Sequence, residues 1–142
     1  MIRRATVDDR LPAIRMMKAF HAAGAMPFPF QAAVAERLFL DFVDAPRRAI
    51  FIADDGGPKG LLIAEAGDHP FGFTLAQEVL WWIDPDARGR SAIQMLDAYE
   101  AWAKAEGCAF TSAACLGADE RTARLYSRRG FKPAETHFLK AI

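Results

Sequence analysis

The feature that most constrains this chain is a junction within residues 78–96, EVLWWIDPDARGRSAIQML. An apolar run typical of a strand, residues 73–84, ends at Asp84 and Pro85. Residues 91–107 then place apolar side chains at helical spacing and end in a glycine. The junction therefore predicts a strand that passes into a helix through a short loop of small and basic residues, and loops of this kind often carry function.

The composition of this loop favours the binding of an anion. The first N–H groups of a helix have no partner inside the helix and, together with the helix dipole, they attract negative charge. Gly89, Ser91 and Ala92 are small enough for a phosphate to approach the backbone, and Arg88 and Arg90 add charge that suits phosphate oxygens. A ligand that carries a diphosphate is one hypothesis, and a plain solvated loop is the other.

Several functional classes are disfavoured by the sequence. It contains neither a G-x-x-x-x-G-K-[ST] loop nor a G-x-G-x-x-G fingerprint, which disfavours triphosphate hydrolysis and Rossmann-type dinucleotide binding. The 18 basic residues balance the 18 acidic ones, so we expect no nucleic-acid partner. We expect no membrane association and a cytoplasmic location, because no long apolar window or signal peptide is present. Cys108 and Cys115 are expected to be free thiols, and no cysteine–histidine spacing indicates a metal.

The remaining patterns predict a single α/β domain over residues 1–142. The order of elements is β-α-α-β-β-β-α-β-α-β, which implies a mixed, mostly antiparallel central sheet flanked by helices. Asp119 is expected to cap the last helix, and Gly130 to end it. The predicted strands are residues 2–6, 48–55, 60–66, 73–84, 109–116 and 131–142, and the predicted helices are residues 9–23, 31–44, 91–107 and 119–130.

Two segments resemble motifs of the GNAT N-acetyltransferases, the Gcn5-related superfamily. The stretch WWIDPDARGRSAIQMLDAYEAWA is similar to that family's acetyl-CoA motif, in which a strand ends in a hydrophobic-x-Pro turn and an Arg-Gly-rich loop begins the central helix. The stretch DERTARLYSRRGFKPAE resembles the second motif, commonly Asn-x-x-Ala-x-x-Leu-Tyr followed by Gly-Phe. The predicted order of elements also matches the family. The closing GFKPAETHFLK is similar to small GNAT-like proteins often encoded by phages and prophages.

The chain departs from the family's pattern at two places. If Arg88 is aligned with the family's loop arginine, Ser91 and Ile93 occupy positions that are usually glycine, whereas a shifted register aligns Arg90 instead. Asp119 and Thr122 stand where the family often has asparagine and alanine. Because a carboxylate close to a phosphate is unfavourable, we assign Asp119 to helix capping rather than to cofactor contact.

The resemblance implies that acetyl-CoA is the acyl donor and that the acceptor is a primary amine. The main chain of Trp81, Trp82 and Ile83 is expected to hold the pantetheine arm like an added strand, with their side chains packed in the core. The loop after them is expected to bind the diphosphate. The cofactor-binding residues implied are therefore Trp81, Trp82, Ile83, Arg88, Gly89, Arg90, Ser91 and Ala92.

Two residues are candidates for proton transfer. Tyr126 lies in the Leu-Tyr pair of the second motif and is the expected general acid that protonates the coenzyme A sulfur. Glu78 interrupts an apolar strand, where a carboxylate is costly unless it faces a cleft, and it is the expected base, acting directly or through water. The alternatives are a core-facing tyrosine and a solvated strand residue.

The acceptor itself is not encoded in a recognisable motif. Phe28 and Phe30 fall in the loop between the first two helices, which in this family borders the acceptor site, and they are candidate substrate-binding residues. The acceptor can be a small molecule or a protein, and the family often forms homodimers. The rival interpretation is a noncatalytic module with the same fold that binds acyl-CoA or a partner protein without turnover.

Overall fold

The structure, a computed structural model, describes residues 1–116 and 118–142. It divides into two compact units, Met1–Ser112 and Ala113–Ile142, which are described separately. The helices of the first unit are α1 (Arg10–Ala23), α2 (Ala32–Phe42) and α3 (Arg90–Ala105), and that of the second is α4 (Glu120–Arg128). The strands are β1 (Ile2–Arg4), β2 (Arg48–Asp54), β3 (Pro58–His69), β4 (Phe73–Ile83) and β5 (Phe110–Ser112).

The five strands form one sheet in the order β1-β2-β3-β4-β5. Among the described strands the first three pairings are antiparallel and β4 pairs with β5 in parallel, which confirms the predicted mixed, mostly antiparallel α/β fold. The β3–β4 pairing contains a bulge. Ile63 is opposite Leu80 and Ala64 is opposite Glu78, so Val79 is an extra residue in β4.

Both faces of the sheet are covered by helices. On one face the cores of β2 and β3 form a cluster with buried residues of α1 and α2, and Leu80 and Trp82 of β4 pack against this cluster. On the other face α3 packs on the sheet, where the Phe51 and Trp102 rings lie 6.4 Å apart. Side chains alternate along a strand, and the extra residue Val79 shifts this alternation, so Glu78 lies on the α3 face and Trp82 on the opposite face.

Gly60 lies on the α3 face of the sheet, closely surrounded by side chains of β2, β4 and α3. A Cβ atom at this position would lie 2.9 Å from Ala53 Cβ, 3.2 Å from Ile83 Cγ1 and 3.3 Å from Met95 Sδ. We therefore expect Gly60→Ala to lower the free energy of unfolding by about 1–3 kcal/mol, measured by urea denaturation. The matched control is Gly67→Ala on the same strand, where an added Cβ meets no atom within 4 Å; equal stability losses at the two glycines would contradict the expectation.

The last predicted strand is wrong. Residues 131–142 form neither helix nor strand, and Phe138 and Leu139 are exposed. Pro133 lacks the N–H that a ladder requires, and apolar side chains with no packing surface do not favour an extended strand. The predicted strand over residues 109–116 is shorter than expected, since β5 is Phe110–Ser112.

The second unit confirms the predicted ends of its helix. The Asp119 carboxylate accepts hydrogen bonds from the Thr122 backbone N–H at 3.0 Å and from the Thr122 hydroxyl at 2.6 Å. Gly130 has φ +88°, the left-handed conformation in which glycine ends helices. Asp119 is therefore a capping residue, as the sequence predicts.

Candidate functional site

One edge of β4 is paired along only part of its length. β3 pairs with β4 from Phe73 to Ile83, whereas among the described residues β5 pairs only with Leu75–Gln77. The Asp84 N–H donates to the Lys59 carbonyl at 2.7 Å. Because hydrogen bonds alternate along an antiparallel pair, the main-chain groups of Trp81 and Ile83 point away from β3. They are directed to the edge that extends beyond β5.

This edge leads into the beginning of α3. A single 3-10 turn, Pro85–Ala87, follows β4, and Gly89 with φ 107° then precedes the helix. No side chain caps α3 in the part of the chain that the structure describes, and its first turn contains no acidic residue. The positive end of the dipole of this 16-residue helix lies at the loop, so the loop is suited to bind an anion.

The two arginines of the loop differ in their contacts. Arg88 Nε donates to the Ile83 carbonyl at 3.0 Å, and its guanidinium lies 5.2 Å from the centre of the Trp82 ring. Arg90, the first residue of α3, is exposed to solvent. Arg88 is thus anchored to the end of β4, while Arg90 extends from the helix terminus. Ser91 and Ala92 are half-buried in the first turn.

Asp84 is the centre of a hydrogen-bond cluster at the end of β4. Its carboxylate accepts hydrogen bonds from Trp82 Nε1 at 2.8 Å and from Arg15 Nη1 and Nη2 at 3.2 and 3.0 Å. Partial burial opposes its charge, but the Arg15 and Trp82 hydrogen bonds and the Arg15 charge hold its pKa below the ordinary value. The neighbouring Asp86 forms an ion pair with Lys59 at 2.8 Å. Both carboxylates in the turn are therefore matched by cations.

Glu78 lies half-buried on the α3 face of the sheet, directly before the bulge at Val79. Tyr99 of α3 is fully buried, and burial first and the Glu78 charge second raise the pKa of its phenol. The Tyr99 hydroxyl donates to the carbonyl of Ser112, the last residue of β5, at 2.8 Å. The sequence predicted an apolar helix face within residues 91–107 but gave no signal for this hydrogen bond, which fixes the end of β5.

Tyr126 belongs to the second unit. Its hydroxyl donates to the Ala114 carbonyl at 3.0 Å, and its ring centre lies 5.4 Å from that of Phe131. The hydroxyl orientation is therefore defined within this unit. The other predicted site residues, from Phe28 to Ala92 in the sequence, all belong to the first unit.

The loop between α1 and α2 is organised around His21. Its Nε2 forms a hydrogen bond with the Phe28 carbonyl, and its ring centre lies 5.8 Å from those of Phe28 and Phe30. Phe30 packs against the same core cluster as Leu80 and Trp82, whereas Phe28 is 49% exposed. No pattern in the sequence distinguishes His21 from an ordinary surface or core histidine, so this role was not predictable from the sequence.

Two further features concern metal ions and membranes. Among the described residues no group of three or more histidine, cysteine, aspartate or glutamate side chains could hold a metal ion. No helix in the same part of the chain is long and apolar enough to cross a membrane.

Comparison with known proteins identifies what the chain is similar to. Residues 15–131 match the family model described as the acetyltransferase (GNAT) family. No protein of curated function matches the chain in sequence.

Solved structures share the fold at low sequence identity. A transcriptional regulator from Bacillus halodurans has a TM-score of 0.84 and 18% identity, over 100% of this chain and 99% of that chain. A predicted acetyltransferase from Clostridium acetobutylicum with acetyl-CoA has a TM-score of 0.81 and 15% identity, over 99% and 95%. An aminoglycoside N-acetyltransferase in complex with CoA has a TM-score of 0.78 and 17% identity, over 100% and 93%.

Proposed function

The chain belongs to the GNAT family of acetyltransferases, and on this premise we propose that it transfers the acetyl group of acetyl-CoA to a primary amine by direct attack of the amine. The observation that carries the proposal is the continuity of two binding elements. The edge of β4 that extends past β5 leads, through one turn, to a helix terminus whose first turn has no acidic residue and to which no described side chain forms a cap.

The residues at this junction fit coenzyme A. The main-chain groups of Trp81 and the Ile83 N–H are directed where the amides of a pantetheine arm can pair with them, as an added strand pairs with a sheet edge, while the Ile83 carbonyl accepts from Arg88. The N–H groups of Gly89, Arg90 and Ser91 suit the diphosphate, and the exposed Arg90 adds a charge. The Ala92 N–H donates to the Gly89 carbonyl at 3.1 Å, so Ala92 contributes a small side chain beside the ligand. By the same alternation the main-chain groups of Trp82 face Leu61 of β3, so Trp82 supports this edge and packs its side chain against the core cluster.

Acetyl transfer requires one group that takes a proton from the amine and another that gives a proton to the departing sulfur. An alkylamine has a pKa of about 10.4, so at neutral pH it must lose a proton before it can attack the thioester carbon. Glu78 accepts this proton, directly or through water, and the new C–N bond replaces the C–S bond. Tyr126 releases its hydrogen bond to the Ala114 carbonyl and donates its phenolic proton to the departing sulfur, since a phenol keeps its proton at neutral pH.

For the acceptor we propose an amine with an adjoining apolar or aromatic group. Phe28 is half-exposed in a loop that His21 holds in place, and Phe30 joins that loop to the core cluster on which Trp82 packs. The exposed Phe28 ring supplies the apolar surface for such a group.

An assay of thiol release tests the proposal. The protein is incubated with acetyl-CoA and a panel of amines, and free coenzyme A is measured with a thiol reagent. We expect release that depends on the amine. Binding of acetyl-CoA with no release across a broad panel would instead indicate a noncatalytic module.

The variant Tyr126→Phe tests the proposed acid. It is expected to lower kcat by roughly 10²-fold and to leave acetyl-CoA affinity unchanged, because only the proton donor is lost. Thiol release gives kcat and calorimetry gives the affinity. An unchanged kcat would remove Tyr126 from the mechanism, whereas parallel losses of affinity and kcat would indicate a role in binding.

A further inference from the structure

The turn before the α3 helix contains two carboxylates close to a proposed diphosphate site. Asp84 and Asp86 precede Gly89 by five and three positions in the sequence. A carboxylate without a partner in this turn would repel a diphosphate. The structure matches each one with a cation from elsewhere in the first unit, Arg15 of α1 for Asp84 and Lys59 of β3 for Asp86.

The two ion pairs are not equivalent. The Asp86 side chain is 66% exposed, so water screens its charge, whereas that of Asp84 is only 13% exposed. Asp84 also has more contacts, since its Oδ1 accepts from Trp82 Nε1 and both of its oxygens accept from Arg15. Arg15 additionally donates to the Pro58 carbonyl at 3.2 Å, which fixes its guanidinium beside the turn.

The cluster extends from α1 to the edge of β4. Arg15 contacts Asp84, Asp84 contacts the Trp82 indole, and the face of that indole lies under the Arg88 guanidinium. Arg88 in turn donates to the Ile83 carbonyl. Arg15, which precedes Asp84 by 69 positions in the sequence, is therefore connected through these contacts to the loop on which the diphosphate is proposed to bind.

From this arrangement we infer that Arg15 is a positioning residue for coenzyme A. It neutralises the partly buried Asp84 carboxylate and so keeps the turn compatible with a diphosphate. The inference rests on the proposed function, because it requires the α3 terminus to be the diphosphate site. Arg15 itself need not touch the ligand.

Removing the Arg15 charge should weaken the binding of coenzyme A, because the Asp84 carboxylate is then no longer neutralised. A unit charge acting on a doubly charged group across roughly 10 Å of water-like medium changes affinity about fourfold. We expect Arg15→Met to raise the Kd for coenzyme A by about this factor at low salt. The loss should shrink when the ionic strength reaches about 0.5 M, because salt screens the repulsion.

Neutralising Asp84 distinguishes the charge effect from a structural one. Asparagine retains an oxygen that can accept from Trp82 Nε1 but carries no charge. We therefore expect the single variant Asp84→Asn to bind coenzyme A at least as tightly as the wild type. The double variant R15M/D84N is expected to bind within about twofold of the wild type, since no unpaired carboxylate remains. Arg10→Met on the same helix is the control, because Arg10 pairs with the exposed Glu36.

The experiment is a calorimetric titration of coenzyme A into these five proteins, with thermal denaturation to establish folding. Weaker binding by R15M that D84N restores supports the inference. Binding by R15M equal to that of the wild type overturns it, and so does a double variant that binds as weakly as R15M. If R15M does not fold, a large loss of affinity in D84N alone overturns it. No binding by the wild type instead overturns the proposed function, and this inference with it.

Discussion

The variant Gly89→Glu is expected to raise the Kd for acetyl-CoA by about 100-fold. Gly89 has φ 107° and ψ −110°, a conformation that costs a residue with a side chain about 1–3 kcal/mol. The new carboxylate would also compete with the diphosphate for the N–H groups of the α3 terminus. Together these effects amount to about 3 kcal/mol, which corresponds to about two orders of magnitude in affinity. Isothermal titration calorimetry measures the change.

The control for this variant is Gly72→Glu. Gly72 lies in the hairpin between β3 and β4 with φ +87°, and as at Gly89 an added Cβ would meet no atom within 4 Å. The two variants therefore introduce the same charge and a similar backbone strain. We expect normal acetyl-CoA binding by the Gly72 variant, because its strain and charge lie outside the loop before α3. Equal affinities in the two variants would show that the loop before α3 does not bind the coenzyme.

The variant Glu78→Gln is expected to lower kcat/KM for the amine by roughly 10²–10³-fold at pH 7 with little change in acetyl-CoA affinity. Glutamine has nearly the same shape but accepts a proton poorly, so the change removes the base and preserves the packing. The deficit should become smaller as the pH approaches about 10, where an alkylamine loses its proton without a catalyst. Initial rates of thiol release between neutral and alkaline pH give this profile.

Glu65→Gln is the control for the proposed base. Glu65 lies on the neighbouring strand, opposite Gln77 and on the other face of the sheet, and its side chain is 42% exposed. We expect its rates to match those of the wild type at every pH. A Glu78 deficit that stays constant up to pH 10 would indicate a structural effect and would argue against proton transfer by this residue.

The sequence predicted the elements that hold the proposed site because their signals are local. The apolar run of β4, the turn at Asp84 and Pro85, and the helical spacing after Gly89 lie within a single stretch of chain. The cap formed by Asp119 is predictable for the same reason, because its partner Thr122 is only three positions further along the chain.

Features that depend on contacts between distant residues were not predictable from the pattern. The bulge at Val79 is visible only in the pairing of β4 with β3. Nothing in the local sequence marks it, because Val79 and Leu80 simply continue the apolar run. The Arg15–Asp84 ion pair joins positions far apart in the sequence. The strand predicted over residues 131–142 failed for a related reason, since an extended apolar pattern forms a strand only where a sheet edge accepts it.

The central claim is that the α3 terminus binds the diphosphate of the coenzyme, and a calorimetric comparison of two ligands tests it most directly. S-acetylpantetheine lacks the diphosphate of acetyl-CoA together with its 3′-phosphoadenosine, and the loss expected for Gly89→Glu, which changes only the α3 terminus, assigns the difference to the diphosphate. We expect the wild-type protein to bind acetyl-CoA at one site per chain and S-acetylpantetheine at least about 100-fold more weakly, because charge-assisted hydrogen bonds to the diphosphate are lost. Equal affinity for the two ligands, or no heat with acetyl-CoA at millimolar concentration, would contradict the assignment.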